Sequence, residues 1–303
     1  MPEQKQDDHF KRHLVEQILA LAMMEDLGPE PLDVTSAATV DSSKKCSARL
    51  VLKESAVVCG LNVIETVAKC LASNDSHIEV TELVQEGTYI KVQAAPVTIA
   101  NIEADARSLL AAERLSLNLI QRMCGVATLA HTYTKIAQPH GIQILDTRKT
   151  MPGLRVFDRR AVIAGGGTNH RFGLFDAILI KDNHVRASGG VALAVERARL
   201  YLQSEPGKSL QNRQIEVEVT TLDELQEALA TRADRILLDN MPPELVQQAV
   251  AKVSQSGHDC FIEVSGGVSA SNLESYLIAG VNAISIGAIT HSAKNIDLSL
   301  EFD

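Results

Sequence analysis

Short apolar runs rich in β-branched residues recur through the second half of this chain, at Ile142–Leu145, Ala177–Ile180, Ile215–Val219, Arg235–Leu238, Phe261–Val264 and Ala283–Ile286. Helical patterns at Leu222–Ala230, Pro243–Gln255 and Ser271–Ala279 separate the later runs. Alternation of this kind predicts βα units around a parallel sheet, because parallel strands need long crossover connections. With 3% aromatic residues and no Trp, the core must be built from Ala, Val, Ile and Leu, a mixture that suits parallel α/β packing. A barrel is the leading architecture, and a doubly wound sheet is the alternative.

The residues that end the runs sharpen this. They are Asp146-Thr147-Arg148, Lys181-Asp182-Asn183, Glu218, Asp239-Asn240, Ser265-Gly266-Gly267 and Gly287, all polar or glycine. In either architecture ligands gather at the carboxyl ends of the strands, so these residues are expected to share one rim.

The first half reads differently. Leu14, Ile18, Leu21 and Ala22 recur at helical spacing between His9 and Asp26, and Gly28 with Pro29 and Pro31 ends that helix. Strand-like segments follow at Ala48–Leu52, Ala56–Cys59, Ile78–Val84 and Val97–Ile102, with a helical stretch at Val63–Leu71, which together suggest a small α+β unit. Glu103 to about Ala137 reads as a long helix interrupted near Gly125, or two in succession. Arg107 is expected in a surface salt-bridge stripe with Glu103.

A formal charge of −9 argues against general affinity for nucleic acid or an anionic membrane, so anion binding must be local. The five cysteines are widely spaced and lack a paired CxxC, and read as reduced thiols of a cytoplasmic protein rather than a disulfide frame or zinc site. No apolar run approaches the roughly 18 residues needed to cross a bilayer, and the polar N-terminus resembles no export signal.

Against that acidic background Asp146–Val185 is rich in cations: Arg148, Lys149, Arg155, Arg159, Arg160, His170, Arg171 and Lys181 lie around Gly165-Gly166-Gly167. Such a local excess suggests a site for a small, highly charged anion. Arg148 can grip a carboxylate in a two-point fork, and Lys149 offers a point charge suited to phosphate. Lys181 is either an anion ligand or a Schiff-base nucleophile. His184 is a turn residue or a ligand. Glu218 and Asp239 suit magnesium or ribose hydroxyls, or could pair with Lys181 or Arg148. Ser265-Gly266-Gly267 and Gly287 have the look of a phosphate-binding rim, with His291 near enough to add a hydrogen bond. The triple glycine is not a Walker A loop and is a weak signal alone.

The motifs EDLG, DVT, ERLSLN, DTRKTMPGLR, GGGTNHR, LIKDNH, IEVEV, LLDN, EVSGG and ISIGAITHS occur in this order along nearly the whole chain. In that ordered set the chain resembles the quinolinate phosphoribosyltransferases, also called nicotinate-nucleotide pyrophosphorylases (carboxylating). Cys124 and Met151 are mild departures, standing where the family often has Ser and Leu.

The resemblance implies a seven-stranded α/β barrel, an incomplete TIM-like fold, at 127–292. An N-terminal α+β open-sandwich domain would cover 1–126, joined by 293–303. It implies a homodimer whose sites are shared between subunits. Arg148, His170, Arg171 and Lys181 would hold the two carboxylates of quinolinate, helped by Arg114 from the partner. Lys149 and Lys181 would face the pyrophosphate of 5-phosphoribosyl-1-pyrophosphate. Glu218 and Asp239 would take its ribose hydroxyls and Mg2+, with Lys181, Glu218 and Asp239 as the catalytic set. Ser265, Gly266, Gly267, Gly287 and His291 would take the 5-phosphate. The implied reaction is phosphoribosyl transfer with decarboxylation to nicotinate mononucleotide, in NAD biosynthesis. A related phosphoribosyltransferase with another acceptor, a Schiff-base barrel aldolase using Lys181, and a non-catalytic anion-binding module are the alternatives.

Overall fold

The computed structural model describes residues 2–71 and 77–303. In chain order the first elements are α1 (Pro2–Leu27), α2 (Val34–Thr39), β1 (Lys45–Leu52), β2 (Ala56–Val57), α3 (Val63–Leu71), β3 (Ile78–Glu82), β4 (Tyr89–Ile90), β5 (Val97–Asp105) and α4 (Ala106–Ala137). There follow β6 (Gln143–Leu145), α5 (Arg155–Ala164), β7 (Ile178–Ile180), α6 (Asp182–Ser188), α7 (Val191–Gln203), β8 (Ile215–Val219) and α8 (Leu222–Ala230). The last are β9 (Arg235–Asp239), α9 (Pro243–Ser256), β10 (Phe261–Ser265), β11 (Ala283–Ser285), α10 (Ala288–His291) and β12 (Leu298–Phe302).

The chain forms two compact units: residues 1–131, 150–166 and 289–303 in the first, 132–149 and 167–288 in the second. The first is built on an antiparallel sheet of order β12-β1-β5-β3, with Leu50 opposite both Ala100 and Leu300. The DVT motif opens α2 as a cap: Asp33 accepts the backbone N–H groups of Thr35 and Ser36, each at 3.0 Å. Leu109, Ala112, Ile120, Met123, Ala127 and Ala130 recur at helical spacing on α4 and are fully buried.

α4 is one unbroken helix, and Glu103 to Asp105 belong to β5 before it. Gly125 does not interrupt it. A Cβ there would lie 1.9 Å from the carbonyl oxygen of Lys294, so the glycine lets the returning C-terminal segment lie against the helix. Gln121 fixes that segment by donating from its side chain to the Leu298 carbonyl at 3.0 Å. Arg107 and Glu103 form no stripe. Arg107 donates to the carbonyls of Val40 and Ala37 at the end of α2, while Glu103 accepts from the Ser47 hydroxyl.

Residues 150–166 lie inside the 127–292 stretch read as barrel, yet they fold with the first unit. Two features explain it. Asp158 on α5 is fully buried against Arg122 of α4 in a two-point pair at 2.8 Å. Gly165 closes on the α4 backbone so tightly that a Cβ would sit 2.3 Å from the Ala127 oxygen.

The second unit is a parallel sheet of six strands in the order β6-β11-β10-β9-β8-β7, an α/β fold with helices following the strands. On the other edge of β6 an isolated parallel bridge joins Leu145 to Thr168. β8 begins and ends where expected, and the other five strands do so within one residue. The helix expected at Ser271–Ala279 is only a 3-10 turn, Leu273–Tyr276. Asn272 diverts the backbone there: its side chain accepts from the Ser269 N–H and donates to the Gly267 carbonyl.

Candidate active site

Side chains alternate along a strand with a period of two, so Glu216 and Glu218, Arg235 and Asp239, and Glu263 and Ser265 lie on one face of the sheet. On each strand the second of the pair is nearer the carboxyl end, giving an upper and a lower layer. The upper layer lies at the carboxyl ends. Lys181, following β7, makes an ion pair with Glu218 at the end of β8. Asp239 ends β9 beside its register partner Ser265. The Asp239 carboxylate accepts from the Asn240 side-chain amide at 2.6 Å.

A cavity in this unit is lined by Arg148, Lys149, His170, Arg171, Lys181 and Glu263, together with apolar Leu179 and Leu237. Five of the expected cations therefore converge. The remaining three cations of the 146–185 stretch ride on α5 in the first unit, where Arg160 is held by Glu86 in a two-point pair. The stretch is thus two groups of cations with different tasks. Gly165 is accounted for by helix packing rather than by a phosphate cradle.

Arg171 is the most telling of the five. It donates from one terminal nitrogen to the Ala177 carbonyl at 2.9 Å, but its Nε is buried without a hydrogen-bond partner. Burial and the neighbouring Arg148 cation both push its pKa below the usual guanidinium value. A buried donor beside a like charge is costly until an anion arrives.

The lower layer was not singled out from the sequence. His170 lies 3.4 Å from Glu216 and 3.5 Å from Glu263 through Nε2, and Arg235 reaches the same two carboxylates at 3.4 and 3.0 Å. Arg235 also stacks over the Phe261 ring at 4.0 Å. Burial alone would lower the His170 pKa, but the two glutamates outweigh it and raise it to about 9. Burial tends to push the Glu263 carboxyl up, while His170, Ser285 and Arg235 hold it below the ordinary range. The residues His170, Glu216 and Glu263 have a spacing that a metal ion could use. Arg235 and His170 already balance the two carboxylates, so the group is an ion-pair cage. Below it the backbone is fixed as well, since buried Asp146 accepts the His170 N–H at 2.7 Å.

Period-two alternation was the signal that could have found this layer: IEVEV and FIEVS each place a second carboxylate or hydroxyl two residues away on the same face. His184 acts as a turn residue, its Nδ1 accepting the Lys181 N–H at 2.9 Å. His291 closes α10 with its ring bonded to the Ser292 hydroxyl at 2.7 Å. Arg114 is exposed on α4 in the first unit. Among the described residues no helix is long and apolar enough to cross a membrane.

Two family models match the chain, the quinolinate phosphoribosyl transferase N-terminal domain over residues 33–124 and the C-terminal domain over 126–301. A probable nicotinate-nucleotide pyrophosphorylase [carboxylating] of Bacillus subtilis is 37% identical over 281 residues, covering 92% of this chain and 90% of that protein. The chloroplastic nicotinate-nucleotide pyrophosphorylase [carboxylating] of Arabidopsis thaliana is 36% identical, covering 94% and 82%. The solved nicotinate-nucleotide pyrophosphorylase of Francisella tularensis superposes with a TM-score of 0.83 at 36% identity, covering 96% of each chain.

Proposed function

The chain belongs to the quinolinate phosphoribosyltransferase family, and from that premise we propose an assignment of its site residues. The enzyme is a pentosyltransferase of NAD biosynthesis: it transfers the phosphoribosyl group to quinolinate and releases CO2, giving nicotinate mononucleotide. The observation that carries the assignment is the buried, unpartnered Nε of Arg171 beside Arg148, a cation surplus suited to a dicarboxylate.

Arg148, His170, Arg171 and Lys181 clamp the two carboxylates, and Lys149 with Lys181 faces the pyrophosphate of the donor. Ser265, Gly266, Gly267, Gly287 and His291 take the 5-phosphate end. Glu218 and Asp239 hold the ribose hydroxyls and a magnesium ion; their hard oxygen donors, on adjacent strands and on one face, fit that ion. When bound, magnesium neutralises charge on the departing pyrophosphate.

The ring nitrogen of quinolinate attacks the anomeric carbon, and the bond to pyrophosphate breaks with its electron pair leaving on oxygen. Orientation and charge stabilisation dominate such a displacement, and the cations supply both. The carbon–carboxylate bond at position 2 then breaks. Its electron pair stays on the ring carbon beside the cationic nitrogen until a proton is taken up. Lys181, in its ammonium form, is our candidate for supplying that proton. Its amine is engaged by Glu218 rather than held in an apolar pocket, which favours a charged role over Schiff-base chemistry.

The sheet is read as a seven-stranded barrel, with the Thr168 segment as the further strand between β6 and β7. The Leu145–Thr168 bridge and the bond from Arg171 to the Ala177 carbonyl support that closure. The enzyme is a cytoplasmic homodimer in which the partner subunit's Arg114 completes each site. The exposed position of Arg114 and the unbridged cysteines support these last two readings.

The direct test supplies Mg2+, 5-phosphoribosyl-1-pyrophosphate and quinolinate, with nicotinate in parallel, and follows CO2 and mononucleotide. Turnover of quinolinate alone is expected; no product from a folded protein overturns the assignment. Arg114→Ala and Lys181→Ala enzymes, each inactive, should regain activity on mixing. Failure to complement would remove the shared site.

A further inference from the structure

Among the described residues only Arg232 and Asn240 combine a side chain with a positive φ, and Asn240, at 54°, stands on the rim directly after Asp239. Asn is one of the few residue types that tolerates this left-handed conformation, which turns its side chain back along the strand it follows. Three contacts converge on it. Its backbone N–H donates to the Ser265 carbonyl at 2.9 Å, extending the β9–β10 ladder one step past the Asp239–Ser265 pair. Its amide nitrogen donates to the Asp239 carboxylate at 2.6 Å. A carboxylate can only accept here, so the amide oxygen faces the other way, toward Gly266. A Cβ on Gly266 would fall 2.3 Å from that oxygen and 2.6 Å from the amide carbon, and Gly266 itself has φ +89°. Gly266 is therefore glycine for two reasons, its backbone angle and the amide wedged against it.

We infer that Asn240 is a positioning residue that locks the Asp239 carboxylate to the Ser265-Gly266-Gly267 turn, so that the two grips on the phosphoribosyl donor move as one. The inference rests on the assignment of Asp239 and this turn to the donor. The left-handed turn aims the amide, the amide fixes the plane of the carboxylate, and its far side sets how closely Gly266 approaches. The lock lies on the donor side of the site. Arg171, assigned to the acceptor, is held elsewhere, donating to the Ala177 carbonyl at 2.9 Å.

The test uses the whole enzyme and two variants. Asn240→Gly keeps the left-handed turn and loses the amide; Asn240→Ala loses both. Calorimetry gives the affinity for 5-phosphoribosyl-1-pyrophosphate with Mg2+, and steady-state kinetics give the KM of each substrate. Both variants should bind the donor about tenfold more weakly, the weight of one hydrogen bond to a charged group. The KM for quinolinate should hold, and Asn240→Gly should keep the parent's melting temperature. Donor affinity unchanged in Asn240→Gly but reduced in Asn240→Ala would make the turn, and not the amide, responsible and overturn the inference. Equal weakening of both substrates would overturn it too. Failure of the parent enzyme to bind the donor would instead sink the underlying assignment, before any substitution is compared.

Discussion

Glu216 and Glu218 sit two residues apart on β8, on one face, and do opposite work. The two carboxylates are buried alike, 9% exposed for Glu218 and 6% for Glu216, but Glu218 meets a Lys181 side chain that is 43% exposed, whereas Glu216 is enclosed with Arg235, His170 and fully buried Glu263. An ion pair whose cation reaches solvent at a rim adds little stability and can be opened by a ligand. A buried one is costly to disrupt, because each partner left behind is an uncompensated charge. Depth along the strand, and not residue type, separates the reactive layer from the layer that supports it.

Substitutions in the two layers should therefore fail in different ways. Lys181→Ala should lower turnover by about a thousandfold or more, on the scale of removing a principal charge from a transition state, while its urea midpoint stays near the parent's. A large loss of stability there would erase the contrast. Arg235→Ala should do the reverse, costing about 3–5 kcal/mol in urea unfolding because Glu216 and Glu263 lose their shared cation. Glu216→Gln should cost about 1–3 kcal/mol with a modest change in turnover, and Glu218→Gln should cost turnover first. If the two glutamines behave alike, the layers are not distinct.

The smallest effect expected is pH-dependent. The His170 pKa is raised from 6.5 to about 9, so its contribution to stability is complete below 6.5 and fades as pH rises through about 9. The stability gap between the parent and a His170→Gln enzyme should narrow across that window. A gap that widens would place the neutral imidazole in the cage. Neutral imidazole carrying its proton on Nε2 does suit Nδ1, which accepts the Arg171 N–H at 2.7 Å, so charging the ring requires that contact to open.

Much of this was legible beforehand because strand ends announce themselves. An apolar run that stops at Lys181, Glu218 or Asp239 marks both a strand and a rim, and β8 fell at its expected limits. The lower layer was harder to see, since Glu216 and Glu263 interrupt apolar strands and only their partners Arg235 and His170, from elsewhere in the chain, make their burial tolerable. Three-dimensional pairing of that kind has no local signal. The same holds for α5: its cations look continuous with those of the rim, and the buried Asp158–Arg122 pair with the close approach of Gly165 to α4 assigns the helix to the first unit. Gly125 misled in the opposite sense, because a glycine inside a helix reads as a break until the chain that lies against it is known.

The pairing of Leu50 with Leu300 has a consequence for how the molecule comes into being. The antiparallel sheet acquires its outer strand β12 from a segment that follows the whole parallel unit in sequence, so the first unit waits, with one edge of β1 unpaired, while that unit is synthesised. Contacts so distant along the chain close slowly, and an open strand edge invites pairing with the wrong neighbour. Completing that sheet is then a late strand insertion, and a chain lacking residues 298–302 would leave the earlier-made sheet as the one that never finishes.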